Sequence, residues 1–402
     1  MKLAPIFTSL LSNDAYKYNM GNIIFKRFND YVTTWSFKCR NIDVKFTSEM
    51  VREIREQIDH FCSLKFTDEE LEWLKVNFPW LSTGYINFLK YWHPDKNEIY
   101  VNTNDIIPYN DCGLAIESRG TWLNTSMYEI PILAIVNEVY FAFKNGVRAN
   151  EDVFIEKTRE KVNRIKTDLV IGPFSEFGLR RRYSSATQDW LVGYLKNNAP
   201  NFVGTSNVYL AKRHNVKAVG TMAHEFIQCI GQGDQMYNPA YSNKLVMEVW
   251  TDEYQTRNGI YLTDCIKTDT FLKDFNLTYA TLFSGVRHDS GNPYTWADKI
   301  LKHYESLGID PKTKTLLFSD SLNFEKAADL YEEYEGKCHV AFGIGTYLSN
   351  DINEEPLNIV MKVTECNNHS VAKISDVDGK CMCRDFQYLD YLKRCIDWRL
   401  KH

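Results

Sequence analysis

Two short clusters in this 402-residue chain have side chains suited to chemistry. Residues 220–225 (GTMAHE) set an imidazole, His224, behind a Gly-Thr pair at the end of an apolar stretch. A neutral imidazole acts near pH 7 as a nucleophile or as an acid and base. A lone histidine also serves as a hydrogen-bonded structural residue, and its place at a strand end is what favours chemistry. Glu225 is adjacent and does not easily face the same way, so Asp264, ending the next apolar stretch, is the better partner for the ring. Residues 284–293 (SGVRHDSGNP) are the densest cluster and pair Arg287 with Asp289. Positions two apart on an extended strand face one side. Arg287 could hold an anion while Asp289 hydrogen-bonds sugar hydroxyls, or the two could form a plain ion pair. The small and turn residues around them favour function.

Three further segments complete the set. Residues 176–184 (EFGLRRRYS) hold Arg180, Arg181 and Arg182 in a row. The bland reading is a solvated basic turn. Neighbouring side chains diverge, so at most one or two of the three can enter one pocket. A guanidinium binds a carboxylate or phosphate through two parallel hydrogen bonds. Residues 319–321 (SDS) offer Asp320 between hydroxyls, and residues 343–346 (GIGT) offer Gly343, Gly345 and Thr346. Glycines at a strand end let backbone N–H groups approach a phosphate closely.

The elements that must position these residues form a repeating pattern. Apolar, β-prone runs lead into polar clusters at 202–207 (FVGTSN), 216–225 (VKAVGTMAHE), 260–264 (IYLTD), 281–291 (TLFSGVRHDSG) and 316–320 (LLFSD). A sixth, 339–346 (HVAFGIGT), ends in glycines. Such runs read as strands buried on both faces, with helical segments such as 185–195, 295–307 and 324–334 between them. Alternating strand and helix predicts an α/β barrel or barrel-like sheet, whose chemistry collects at the carboxyl ends of the strands. A doubly wound open sheet competes, but no GxGxxG follows the first strand.

Residues 1–135 mix signals: helical spacing at 49–61, a capping box at 67–70, short strands at 98–101 and 113–117, and a helix from Pro131. Residues 358–366 read as a further strand, paired with 371–374 and folding back on the amino-terminal region. The expected division is therefore a barrel-like catalytic domain over 136–355 and an α+β domain over 1–135 completed by 356–402.

Bulk properties exclude several classes. There are 47 basic and 52 acidic residues, for a net charge of −5, which is not built for general attraction to nucleic acid. No run approaches the ~20 apolar residues of a membrane span, and the start lacks a secretory-type core and cleavage site. The ten cysteines are thinly spread and read as reduced thiols of a cytoplasmic protein. Cys381-Met382-Cys383 lacks the usual zinc spacer, so no protein-held metal is expected.

Taken in order, the strings DAYK (14–17), EFGLRRRYS, GTSN with Leu210-Ala211, GTMAHE, LTDC, GVRHDSGNP, FSDSL and FGIGT resemble the nicotinate phosphoribosyltransferases, from about residue 12 to about residue 380. The resemblance implies an irregular α/β barrel with an α+β domain built from both chain ends. It implies an enzyme of NAD salvage that joins nicotinate to 5-phosphoribosyl-1-pyrophosphate, with ATP as co-substrate and Mg²⁺ on the phosphates. By the same resemblance His224 is the phosphorylated histidine, steadied by Asp264. Tyr16, Thr221 and Arg287 fall on nicotinate contacts and Arg180 on one near its carboxylate. Asp289 and Asp320 fall near the ribose and Thr346 on its phosphate. Asn292 departs from the pattern, standing where many members have aspartate. A nicotinamide-using enzyme and a silent phosphoribosyl-binding regulator are the alternatives. Partners are expected to be these small molecules, without nucleic acid or membrane, in a monomer or in a homodimer; in some family members the residue matching Tyr16 comes from a neighbouring chain.

Overall fold

The computed structural model describes residues 1–102, 112–234, 236–376 and 383–402, so Cys381 and Met382 lie outside the described residues. Among these residues the strands are, in chain order, β1 (Val32–Cys39), β2 (Ile99–Asn102), β3 (Ala115–Thr121), β4 (Phe174–Glu176), β5 (Phe202–Thr205), β6 (Lys217–Ala218), β7 (Ile260–Leu262), β8 (Gly285–His288), β9 (Thr315–Phe318), β10 (His339–Ile344), β11 (Ile359–Cys366) and β12 (His369–Ser370). Seven of them pair in parallel in the order β6-β5-β4-β10-β9-β8-β7. No pairing joins β6 to β7 among the described residues, which leaves the curled sheet as a half-barrel. The remaining five, β12-β11-β1-β3-β2, are antiparallel and draw on both ends of the chain. The expected barrel-like sheet with a second α+β unit is the architecture found.

Parallel neighbours need long crossovers, and helices supply them. Ser185–Asn198, Pro293–Ser306 and Phe324–Tyr334 occupy the segments read as helical, each opened by a side-chain cap from Ser184, Asn292 or Asn323. Thr67 and Glu70 form the expected capping box. The helix expected from Pro131 begins at Glu129 and runs to Asn145, across the boundary drawn at residue 135. It is apolar nearly all round, is buried along most of its length, and packs against the amphipathic helix Ser48–Ser63.

Three segments differ from expectation. The run 216–225 is a strand only at Lys217–Ala218, and His224 opens the helix His224–Gln232 instead of ending a strand. Gly220, at φ +154°, breaks the run, and a Cβ there would meet the Tyr16 backbone nitrogen at 3.0 Å. β4 is an additional strand. With three fully buried residues it is too short to display a periodicity. Of residues 371–374, Val371 continues the pairing with β11 that β12 begins, its N–H bonding the Thr364 carbonyl at 3.0 Å, and the later residues leave it. Ile374 turns to the chain after β7, its N–H bonding the Cys265 carbonyl at 2.8 Å. That detour carries Lys373 to Asp264.

Candidate active site

All seven half-barrel strands are parallel, so their carboxyl ends open on one side. There a cavity of about 600 Å³ is lined by Tyr16, Arg180, His224, Arg287, Asp289 and Asp320, with Gly345 and Thr346 at the end of β10. Another recess, formed by residues 165–171 and 196–201, lies at the amino ends of β4 and β5 and includes none of the predicted residues. Tyr16 enters the cavity of its own chain. Three predicted residues stand off the cavity wall. Asp264 lies behind His224, Thr221 donates its hydroxyl to the Ile260 carbonyl at 2.7 Å, and Gly343 lies under the Phe177 ring. A Cβ on Gly343 would meet that ring at 2.3 Å, so its lack of a side chain makes room for Phe177 rather than for a ligand.

His224 is 7% exposed, and its Nε2 meets Asp264 Oδ1 at 2.8 Å and Asp289 Oδ2 at 3.7 Å. Burial, and then the Lys373 ammonium, push its pKa down to about 4, so the ring is neutral at pH 7. Nε2 is then the N–H donor to Asp264, and the Nδ1 lone pair is left available. Burial opposes the charge on Asp264, but the facing His224 and Lys373 hold it well below the usual carboxylate range. Its second oxygen, Oδ2, accepts from Lys373 Nζ at 2.7 Å and from Ser290 Oγ at 2.5 Å, and Ser375 donates to Ser290 in turn.

The arginine triplet divides three ways, which displaces its reading as a solvated turn. Arg180 lines the cavity with Nη1 at 3.6 Å from Glu129 Oε1. Burial disfavours its charge, but Tyr16, Glu129 and Asp14 around it raise its pKa overall. Arg181 also reaches the cavity while donating to the Ile359 carbonyl at 3.3 Å, and burial beside Arg180 lowers it to about 10. Arg182 turns into the core, bonding Gln188 and the Ile6 carbonyl, with its guanidinium 5.0 Å from the Phe7 ring centroid. The turn itself is pinned by Glu176 at the end of β4, which accepts from Gly178 N at 2.6 Å and from Thr205 and Gln188. Arg287 leaves its buried Nε without a protein partner, an N–H suited to a bound anion.

Sequence reasoning missed the cations of the antiparallel sheet. Arg40 follows β1, Lys362 sits in β11 and Lys373 follows β12, and all three line the cavity with Trp35. Burial lowers Lys362 to about 8, partly offset by Glu129. Burial opposes the charge on Lys373, but Asp264 and Asp289 raise its pKa overall. No local string marks these lysines. Glu176 stood inside a quoted string yet was read as part of the basic turn.

His224, Asp264 and Asp289 bring donor atoms within 4.8 Å of one another, the composition of a metal site. Lys373 and Ser290 already occupy Asp264 Oδ2, and the His224 N–H points at Oδ1. That set does not fit a resident metal. Asp289 and Asp320 are oxygen donors on the cavity wall and fit a hard cation carried mainly by phosphate oxygens and water. Among the described residues Cys62, Cys229, Cys265, Cys338, Cys366 and Cys395 are free thiols, and no described helix is long and apolar enough to cross a membrane.

Comparison with known proteins agrees with this geometry. Residues 173–398 match the model of the nicotinate phosphoribosyltransferase (NAPRTase) family, and residues 11–137 match that family's N-terminal domain. A nicotinate phosphoribosyltransferase of Bordetella pertussis is 39% identical over 395 residues, 97% of this chain and 95% of the relative. The crystal structure of nicotinate phosphoribosyltransferase from Porphyromonas gingivalis superposes with a TM-score of 0.90 at 34% identity, covering 97% of this chain and all of that one. The one from Vibrio cholerae gives 0.91 at 34% identity, over 98% and 94%. With both family models together spanning nearly its whole length and with the cavity where the half-barrel strands end, the chain belongs to the nicotinate phosphoribosyltransferase family.

Proposed function

We propose that the chain joins nicotinate to 5-phosphoribosyl-1-pyrophosphate, giving nicotinate mononucleotide and pyrophosphate, and couples this to ATP through a transient phosphohistidine at His224. The observation that carries the reading is the meeting, in one cavity, of the Arg180 and Arg287 guanidiniums with a buried neutral histidine. Family membership supports it.

Nicotinate attacks with its ring-nitrogen lone pair, so no general base is needed. The bond from that nitrogen to the anomeric carbon forms as the carbon–oxygen bond to pyrophosphate breaks, and pyrophosphate leaves with the electron pair. The barrier is lowered by positioning and by charge. Arg180 and Arg287 take the carboxylate, and a neutral amide in its place would leave a buried guanidinium unpaired. Asp289, which Arg287 helps hold below its ordinary pKa against burial, faces the sugar centre as it gains positive character. Arg40, Arg181 and Lys362 face the departing pyrophosphate, and Thr346 with the Gly345 backbone faces the 5-phosphate. Bound Mg²⁺ supplies charge neutralisation on the phosphates, with Asp289 and Asp320 as the chain's oxygen donors to it.

His224 has its Nε2–H fixed by Asp264, so Nδ1 is the nitrogen that takes the γ-phosphoryl group of ATP and releases ADP. The added charge and acceptor oxygens reshape the site until the N–P bond is hydrolysed. The test is turnover of nicotinate and nicotinamide with phosphoribosyl pyrophosphate and Mg²⁺, with and without ATP, for the unaltered chain and His224→Asn. Product from nicotinate, stimulated by ATP, and loss of that stimulation in the variant are expected. Full ATP stimulation in His224→Asn would sink the phosphohistidine step, and turnover of nicotinamide would sink the arginine assignment.

A further inference from the structure

Behind Glu129 and Glu225 of the cavity wall lies a buried ammonium that the reaction above does not use. Lys17 is 0% exposed, and its Nζ meets Glu129 Oε2 at 2.8 Å and Glu225 Oε2 at 2.7 Å. The ammonium also lies 5.6 Å from the Tyr16 ring and 5.1 Å from the Trp35 ring, both of which line the cavity. A buried ion cluster adds little net stability over apolar side chains of similar volume, while its geometry is strongly specified.

What it specifies is legible from the outward side of each carboxylate. Glu129 Oε1 faces Arg180 Nη1 at 3.6 Å, while Glu225 Oε1 accepts from Ser126. Glu225 directly follows His224 in the first turn of the helix His224–Gln232, and Glu129 opens the helix Glu129–Asn145. Directly, or through Glu129, one ammonium therefore ties the helix Ala15–Arg27, the arginine turn and the histidine helix at a single point.

We infer that Lys17 is a positioning residue that joins the pyridine end of the cavity to the His224 helix. A substrate carboxylate on Arg180 competes with Glu129 for the guanidinium. Glu129 then draws on Lys17, and Lys17 loosens its hold on Glu225 and the histidine helix. Conversely, movement of the phosphorylated His224 helix shifts Glu225, Lys17 and Glu129, and so the aim of Arg180. This coupling rests on the phosphohistidine reading of the site.

The experiment compares the unaltered chain, Lys17→Arg, and the double variant Lys17→Met/Glu225→Gln, which removes one charge of each sign and keeps Glu129 for Arg180. Nicotinate KM, kcat, and ADP released per mononucleotide formed are measured with and without ATP, together with acid-labile phosphate on the protein. In the double variant nicotinate KM rises about 10- to 100-fold, the scale of a site misplaced by an ångström. ADP per product rises as well, kcat without ATP changes less than KM, and acid-labile phosphate still forms. Lys17→Arg recovers most of the KM. A folded double variant with unaltered KM and ADP ratio overturns the inference. So does an equal loss of kcat and kcat/KM that Lys17→Arg does not relieve, which is the mark of a merely structural lysine. Absence of ATP stimulation in the unaltered chain fails the phosphohistidine reading by itself, and the nicotinate KM comparison then decides the inference alone.

Discussion

The half-barrel and the antiparallel sheet meet at the cavity with different chemistries. From the ends of its strands and the segments that follow them, the half-barrel contributes His224, Asp289 and Asp320, with Asp264 behind, and the cations Arg180, Arg181 and Arg287. The antiparallel sheet and its flanks contribute Arg40, Lys362 and Lys373. Lys362 lies opposite Ser36 of β1 in an antiparallel register, so its position is fixed by a sheet built from residues more than 300 apart in sequence. The difference teaches that the second sheet is more than a support. On the proposed reading the half-barrel supplies the carboxylates and the imidazole for a carbon centre gaining positive charge, and the second sheet adds further cations for the anions that arrive and leave. The site exists only where the two chain ends close on the half-barrel.

Breaking that seam has the largest expected effect. Lys373, on the flank of the second sheet, touches the histidine's partner, with its side chain 13% exposed and Asp264 1% exposed. Lys373→Met leaves a buried carboxylate with one charge partner fewer and is expected to cost about 3 kcal/mol, read from urea unfolding. Asp264, depressed in the fold, contributes stability above its unfolded pKa that is lost as pH falls, so the variant's deficit narrows in acid. The same substitution removes the second cause of the lowered His224 pKa, which moves up from about 4 toward its ordinary value. The acid limb of kcat/KM therefore shifts to higher pH. An unmoved limb with an unmoved urea midpoint would show that the sheets meet here without electrical contact.

The same seam divides what could be read in the sequence from what could not. The half-barrel residues announced themselves because each strand runs directly into its polar cluster, so Arg287, Asp289 and Asp320 could be found from local order alone. His224 was found for a partly wrong reason: it opens a helix, and a Gly220 at positive φ ends the strand before it. Thr221 entered on the resemblance and Gly343 with the glycines at the end of β10; in the fold Thr221 donates to the Ile260 carbonyl and Gly343 lies under the Phe177 ring, neither of which a local string displays. β4 was too short to be periodic. Lys362 and Lys373 sit among ordinary strand residues, and their role depends on pairing across the whole chain, which no window of sequence contains.

A smaller effect sharpens the comparison by titrating one side of it. Lys362 is lowered by burial to about 8, with Glu129 and Asp289 raising it and Arg180 and Lys373 lowering it. Its folded pKa lies below that of an unfolded lysine, so the unfolded chain binds more protons from about pH 8 to about pH 10.4 and stability rises with pH in that window. On the proposed reading anion binding goes the other way, because a neutral amine no longer attracts pyrophosphate. The KM for phosphoribosyl pyrophosphate is expected to rise above pH 8, by up to about tenfold per unit. Lys362→Arg keeps its charge there and should flatten the limb. A limb of the same slope in that variant would transfer the titration to another group.

The smallest effect tests whether a residue inside the densest motif belongs to the chemistry at all. Asn292 ends the string SGVRHDSGN, yet its Oδ1 accepts from Tyr294 N and Thr295 N, both at 3.0 Å, and Pro293 occupies the first helical position. Those bonds make it the cap of the crossover helix Pro293–Ser306 on the half-barrel side. Asn292→Ala should cost about 1 kcal/mol, the usual loss of such a cap. Asn292→Asp keeps the acceptor and adds a negative charge at a helix amino terminus, so it should match or slightly exceed the original stability. Neither change should move nicotinate KM by more than about twofold, since the side chain caps the helix and is not part of the cavity lining. A KM that followed the Asp variant and ignored the Ala variant's stability loss would mean that charge at position 292 reaches the cavity, and the division between framework and chemistry within this motif would have to be redrawn.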